Sequence, residues 1–188
     1  VSFPAKERPL MRRLLIATAL IAPALPAFGQ ADRAAVLDTY ADIAQAGYED
    51  ALTTARALRV AVDALIAAPS DDTLAAARAA WVAARVPYQQ TEAFRFGNAI
   101  VDDWEGRVNA WPLDEGLIDY VDVSYGGPTD ENEYAALDVI ANPTVLIAGQ
   151  EVDATEITPT LIADTLNEAD GIETNVARGY HAIEFLLW

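Results

Sequence analysis

The sequence predicts an all-α protein, most simply a helical bundle, and three observations carry that prediction. Apolar residues recur at spacings of three, four and seven along two long segments, which is the period of an amphipathic helix. Residues that cap helices stand at the start of both segments, and breaks rich in Pro, Gly, Ser and Asp follow them. No stretch shows a convincing alternation of apolar and polar residues, the pattern that half-buried strands require.

The first 29 residues are predicted to be a secretory signal peptide. The basic stretch MRR at 11–13 precedes the apolar run LLIATALIAPALPA, and small residues follow that run, so cleavage is predicted before Gln30. The run is short for a membrane span and two prolines interrupt it, so no transmembrane segment is predicted in the mature chain. Residues 1–10 are interpreted as an over-extended start, since Val1 is what a GTG codon gives when it is translated literally.

Composition limits the classes of function. The chain has 188 residues, is 53% hydrophobic and carries 29 acidic against 12 basic residues, for a net charge of -17. Removing residues 1–29 takes away one acidic and four basic residues, which leaves 28 acidic and 8 basic ones. Nucleic-acid binding and binding to anionic membranes are therefore not expected, because phosphate binding needs clustered Lys and Arg. With no cysteine, disulfide and thiolate chemistry are excluded.

Two long helices are predicted first along the mature chain. Asp32 can cap a helix over about residues 33–68, and Ser70 or Asp71 can cap a second one after the break APSDDT. Pro87 is expected to kink the second helix. The remaining elements are predicted to be shorter: loop or short turns over 96–112, helices over about 112–120, 131–140 and 160–167, strand or loop over 141–149, and a last helix from near Thr174 to Trp188.

The final decapeptide, GYHAIEFLLW at 179–188, carries the first possible chemistry. It contains the only histidine of the chain, His181, and Glu184 three positions later, so both side chains lie on one face of a helix and can share one ion or one proton. The surrounding residues are apolar, so this helix is expected to be buried. Gly179 within it is explained by a close approach of another backbone. A core histidine hydrogen-bonded to its own helical glutamate remains the alternative to a metal site.

The second candidate is RVPYQQTEAFRFGN, at 85–98. Glu92 follows Tyr88 by four residues and Trp81 by eleven, so helical periodicity places its carboxylate on the inward stripe. A buried carboxylate must be paired, hydrogen-bonded or metal-bound, and Arg85 or Arg95 can be its partner. Further on, VNAWPLDEGLIDY carries two acidic residues at 114 and 115 that can simply complement a helix dipole.

These stretches resemble the imelysin-like family. GYHAIEFLLW is similar to its G-x-H-x-x-E motif, and PYQQTEAFRFGN and VNAWPLDEGLIDYV are similar to its other two signature stretches, in the same order. The resemblance covers about residues 31–188. It implies two related helical bundles, of which this chain holds the first, and a metal held by His181, Glu184, Glu92 and Asp102. Where iron-uptake relatives tend to have a second glutamate, this chain has Gln89.

The resemblance implies an exported protein of the bacterial periplasm or cell envelope that binds a divalent metal, iron or zinc, and serves iron uptake. Envelope iron-uptake proteins are then its expected partners. One imidazole with carboxylates suits iron(II), zinc or manganese alike. The alternatives are a metallopeptidase of the imelysin type, and a non-catalytic helical interaction module with a structural His–Glu pair. A usual zinc peptidase motif, H-E-x-x-H, needs two histidines, whereas this chain has one.

The resemblance also bears on the extent of the chain. Imelysin-like proteins continue past the G-x-H-x-x-E motif into a second bundle, whereas this sequence stops within the motif helix. Residues 31–188 are therefore interpreted as the N-terminal part of an imelysin-like domain that is incomplete at its C-terminus.

Overall fold

Two long antiparallel helices form the main body of the protein. The computed structural model describes residues 32–188, so the predicted signal peptide lies outside the described residues. Helix α1 spans Arg33–Ala67 and is capped by Asp32, whose carboxylate accepts from the Ala34 amide. Helix α2 spans Asp71–Gln90 and is capped by Ser70. Both helices and both caps confirm the sequence prediction, and the all-α bundle class is confirmed with them.

A third helix, α3, spans Ala99–Val108, where the sequence predicted loop or short turns. The helix has only ten residues and contains Gly106, which disfavours helix, so it is too short to stand out in the sequence. Tertiary packing holds it instead, because the Trp104 ring contacts the rings of Tyr48 and Tyr88. The prediction for this segment was wrong for that reason.

The helices predicted over about 112–120 and 131–140 are not formed. The first segment contains only a short 3-10 turn, Glu115–Leu117, and the second consists of turns. The two segments pair with each other instead, since the backbone carbonyls of residues 116–118 accept hydrogen bonds from the amides of residues 138–140. Those carbonyls and amides are then unavailable for the i to i−4 bonds of an α-helix.

A β-hairpin follows, in the stretch that the sequence left open between strand and loop. Strand β1, Thr144–Ile147, pairs in antiparallel fashion with β2, Gln150–Asp153. The two-residue turn between them has both residues at positive φ, 49° for Ala148 and 72° for Gly149. The Tyr134 hydroxyl accepts a hydrogen bond from the Ala148 amide at 2.9 Å, which fixes the turn against the core.

The positive φ of Ala148 leads to a test of this hairpin. Replacing Ala148 by glycine is expected to raise the free energy of unfolding by about 0.5–1 kcal/mol, because glycine adopts positive φ without steric cost. Ala83, on the exposed side of α2, is the matched control. Glycine there is expected to lower stability by about 1 kcal/mol. Urea unfolding of both variants measures the difference, and equal destabilisation by the two changes would contradict the assignment of the turn.

A six-residue π-helical segment, Leu161–Leu166, occupies the region predicted as helix over 160–167.

The last helix is short and starts later than predicted. Helix α4 spans Tyr180–Leu187 and begins six residues after the predicted start near Thr174. Thr174 and Asn175 do not join it because their backbone carbonyls accept hydrogen bonds from the amides of Asp114 and Glu168.

The described residues have two apolar cores. The first joins the helices through Ala51, Leu58, Ala84, Tyr88 and Tyr180. The second lies under the hairpin and the irregular segments, and is made by Leu117, Tyr134, Val139, Val145, Ile147, Ala154, Leu161, Leu166 and Ala169. None of the helices within residues 32–188 is both long enough and apolar enough to span a bilayer.

Candidate functional site

Helix α4 carries the His–Glu pair, and its entry is fixed by a glycine. Gly179 precedes the helix with φ of 90°, a conformation that L side chains rarely adopt. A Cβ at this position would lie 2.6 Å from the carbonyl oxygen of Val108. The close backbone approach that the sequence predicted is confirmed, although Gly179 stands at the cap of the helix and not within it.

Side chains of helix α2 hold α4 in place from one side. The indole nitrogen of Trp81 donates to the Tyr180 carbonyl at 2.9 Å, and the Arg78 guanidinium donates to the Leu187 carbonyl. These bonds engage both ends of an eight-residue helix, which is too short to be stable alone in water. Arg85 adds a cation–π contact, with its guanidinium carbon 5.0 Å from the centre of the Tyr180 ring.

His181 and Glu184 lie side by side on α4, as the sequence predicted. The Nδ1 atom of His181 is 3.1 Å from a carboxylate oxygen of Glu184, and the two side chains are 19% and 43% exposed. The helix is less buried than expected, since Leu186 is 55% exposed. Nδ1 and the carboxylate oxygen face each other at the separation that two ligands of one divalent ion have, so an ion in place of the shared proton would contact both groups.

The pair opens onto a cleft of about 480 Å³, which we call the motif cleft. Glu115 lines this cleft, although it was predicted only to complement a helix dipole. The 3-10 turn brings it there, anchored by Gly116, whose missing Cβ leaves room for the Ala135 carbonyl. The full lining of the motif cleft is Trp111, Leu113, Glu115, His181, Glu184, Phe185 and Trp188.

Glu92 lies elsewhere, and the prediction that it points inward is wrong. Its side chain is 70% exposed and pairs with Arg95 at 3.5 Å, so Arg95 and not Arg85 is its ionic partner. The inward stripe was extrapolated from helical periodicity, whereas the α-helix ends at Gln90 and a 3-10 turn follows. That change of pitch rotates residue 92 away from the stripe.

Arg95 organises a second group of carboxylates, which we call the arginine cluster. Its guanidinium lies 3.5 Å from Glu92, 3.9 Å from Asp102 and 3.3 Å from Glu105. Glu105 is the most buried of the three carboxylates, with 16% of its side chain exposed. The sequence did not single it out, because it falls in the stretch predicted as loop. Its one available signal was its position three residues after Asp102, on the same helix face.

The arginine cluster is connected to α4 through Asn109, Arg85 and aromatic rings. Asn109 donates to Glu105 at 2.9 Å and accepts from Arg85. Arg85 in turn stacks on Tyr88, with its guanidinium carbon 5.5 Å from the ring centre. Burial, assisted by the nearby Glu105 carboxylate, raises the pKa of Tyr88 above its ordinary value, so this phenol stays neutral even in alkaline solution.

The structure thus brings together two of the four predicted metal-site residues, His181 and Glu184. It places Glu92 and Asp102 in the arginine cluster, where both carboxylates lie within 4 Å of the Arg95 guanidinium. Within residues 32–188, no group of three or more His, Asp or Glu side chains is close enough to hold a metal ion by itself. The assignment of all four residues to one metal site therefore stays a prediction.

The family model described as Imelysin matches residues 44–188. This chain belongs to the imelysin family. The resemblance drawn from the three signature stretches is confirmed, and the match includes both the motif cleft and the arginine cluster. One relative is the iron-regulated protein A of Synechococcus elongatus, which is 45% identical to this chain over 51 residues. That similarity covers 27% of this chain and only 14% of the cyanobacterial protein.

Proposed function

We propose that this imelysin-family chain belongs to an exported protein of the bacterial cell envelope, which binds a divalent metal ion at the motif cleft and serves iron acquisition. The observation that carries the proposal is the His181–Glu184 pair, held at 3.1 Å on one helix face and lining a cleft. An imidazole beside a carboxylate suits iron(II) and zinc, and here the ion is cargo rather than a resident cofactor.

The donor set of the motif cleft fits part of a metal site. The imidazole and the Glu184 carboxylate supply two adjacent donors, and Glu115 lines the same cleft as a further carboxylate. A divalent ion bound there would complete its coordination with water or with donors from a ligand or partner, as open metal sites do. Glu92 and Asp102 fit less well, because Arg95 competes for their oxygens.

Two observations support the proposed link to iron and to the cell envelope. The cyanobacterial relative is described as an iron-regulated protein. The basic and apolar stretch before residue 30 has the composition of an export signal. An acidic protein with net charge -17 also attracts cations more than anions, which favours capture of a metal ion.

Calorimetric titration with zinc, and with iron(II) under anaerobic conditions, tests the proposal. Wild-type protein is expected to bind one ion, and His181→Ala and Glu184→Gln are each expected to weaken binding about 10-fold or more, since even residues that only orient a ligand contribute that much. Glu92→Gln is the matched control, because it removes one negative charge at a carboxylate outside the motif cleft.

The outcomes separate the rival interpretations. Unchanged affinity in Glu92→Gln supports a site confined to the motif cleft, whereas a comparable loss would return Glu92 to the metal site that the family resemblance implies. If wild type binds neither ion above the background of the His181→Ala variant, the His–Glu pair is structural and the proposed function fails.

A further inference from the structure

The motif cleft is larger than a metal ion requires. Its volume of about 480 Å³ falls within the ~300–1,000 Å³ typical of pockets for organic small molecules. The ion-binding groups occupy only one part of its wall, since Leu113, Phe185 and two tryptophans supply the rest. The cleft therefore has space and apolar surface beside the position where His181 and Glu184 would hold an ion.

Two of the four tryptophans of the chain line this cleft. The indole of Trp111 is 73% exposed. Exposed indoles are unusual on a protein surface, and they are enriched at sites that bind a partner. Their co-occurrence with a His–Glu pair in one cleft indicates that the ligand has a planar apolar part as well as a metal.

The Trp188 ring is held in position before any ligand arrives. The Arg78 guanidinium lies 5.3 Å from its ring centre, and the Trp81 ring packs against it edge to face at 5.4 Å and 71°. A side chain fixed by two neighbours loses little conformational entropy when a ligand stacks on it. Trp188 therefore forms a rigid part of the wall of the cleft that Trp111 also lines.

The charge of the cleft selects among possible ligands. Glu115 and Glu184 line it, and the whole chain carries a net charge of -17. Anionic chelates are disfavoured by these carboxylates, whereas neutral or cationic complexes are attracted. A complex with open coordination positions can also accept the imidazole and carboxylate as additional ligands.

We propose that the motif cleft binds its metal as a neutral or cationic complex with a planar aromatic chelator, which stacks on Trp111 while His181 and Glu184 complete the coordination. This inference rests on the proposed function and adds the chemical class of the cargo to it. The aromatic residues then determine which metal complexes are accepted.

The 1:1 complex of zinc with 1,10-phenanthroline is a suitable probe, because it is cationic and planar and leaves coordination positions open. Calorimetry on the full chain compares this complex with zinc alone and with phenanthroline alone, and quenching of tryptophan fluorescence gives a second readout at the cleft. The complex is expected to bind about 3- to 10-fold more tightly than zinc, the effect of one or two aromatic contacts.

Variants at the cleft separate stacking from coordination. Trp111→Ala is expected to reduce the affinity for the complex to that for zinc alone without changing the affinity for zinc, and Trp111→Phe is expected to restore most of the difference. Tyr125→Ala is the matched control, since Tyr125 is 86% exposed and does not line the cleft.

The inference and the proposed function fail in different ways. If zinc binds through His181 but the complex binds no more tightly, or if Trp111→Ala leaves its advantage intact, the chelate inference is wrong and the proposed function stands. Binding of phenanthroline alone as tightly as the complex also overturns the inference, because the metal would then play no part. If zinc does not bind at all, both are overturned.

Discussion

Replacing Gly179 by alanine is expected to lower the free energy of unfolding by about 3 kcal/mol or more and to detach helix α4 from the bundle. The new Cβ would stand 2.6 Å from the oxygen and 2.7 Å from the carbonyl carbon of Val108. Both are backbone atoms at the end of α3, so no side-chain rotation relieves the overlap. The φ of 90° adds strain that glycine alone avoids.

Gly106 provides a matched control in the same region. It lies inside α3, and a Cβ there would meet no atom within 4 Å. Alanine at this position is expected to raise stability by about 1 kcal/mol, because it favours the helix. Urea unfolding and limited proteolysis near residue 179 measure both effects. A Gly179→Ala protein that unfolds at the wild-type midpoint would contradict the packing of α4 described above.

Replacing Asn132 by leucine is expected to cost about 3 kcal/mol or more, because several buried polar groups would lose their partners at ~1–3 kcal/mol each. Asn132 is only 6% exposed. Its side-chain amide donates to the Asp114 carboxylate and to the Asn175 side-chain oxygen, the latter at 2.8 Å, and its own oxygen accepts from the Tyr134 amide at 2.9 Å. Leucine keeps the branching of the side chain, but it is larger and offers none of these bonds.

The effect of this change extends to the motif cleft. The Asp114 that Asn132 holds precedes Glu115, so the loss is expected to disorder this wall of the cleft while α1 and α2 remain helical. Asn98→Ala is the control, since Asn98 is exposed and its side chain caps no helix. Thermal melts followed by circular dichroism compare the two. A loss below about 1 kcal/mol for Asn132→Leu would show that these buried bonds are not essential.

The sequence predicted best where local interactions decide the structure. Helices α1 and α2 have long apolar periodicities and capping side chains at Asp32 and Ser70, and their bounds match the prediction closely. The close backbone approach at Gly179 and the shared face of His181 and Glu184 were also predictable, because both follow from residue type and spacing within one short segment.

The sequence predicted poorly where distant segments compete for the same backbone groups. The carbonyls of residues 116–118 bond to the amides of residues 138–140, so two predicted helices are absent. Helix α3 was missed because a short helix has little stability of its own. The contacts of Trp104 with residues of α1 and α2 stabilise it. Periodicity within a segment carries no information on either interaction.

The sequence by itself determined the helical class, the two long helices, the acidic character of the chain and the family to which it belongs. Only the tertiary structure decided how the chemical groups are distributed. It placed Glu115 and two tryptophans beside His181, and it gave Glu92 and Asp102 to Arg95. The physical reason is that a helix fixes neighbours three or four residues apart, whereas the groups that meet in a cleft depend on turns and pairings that long-range contacts select.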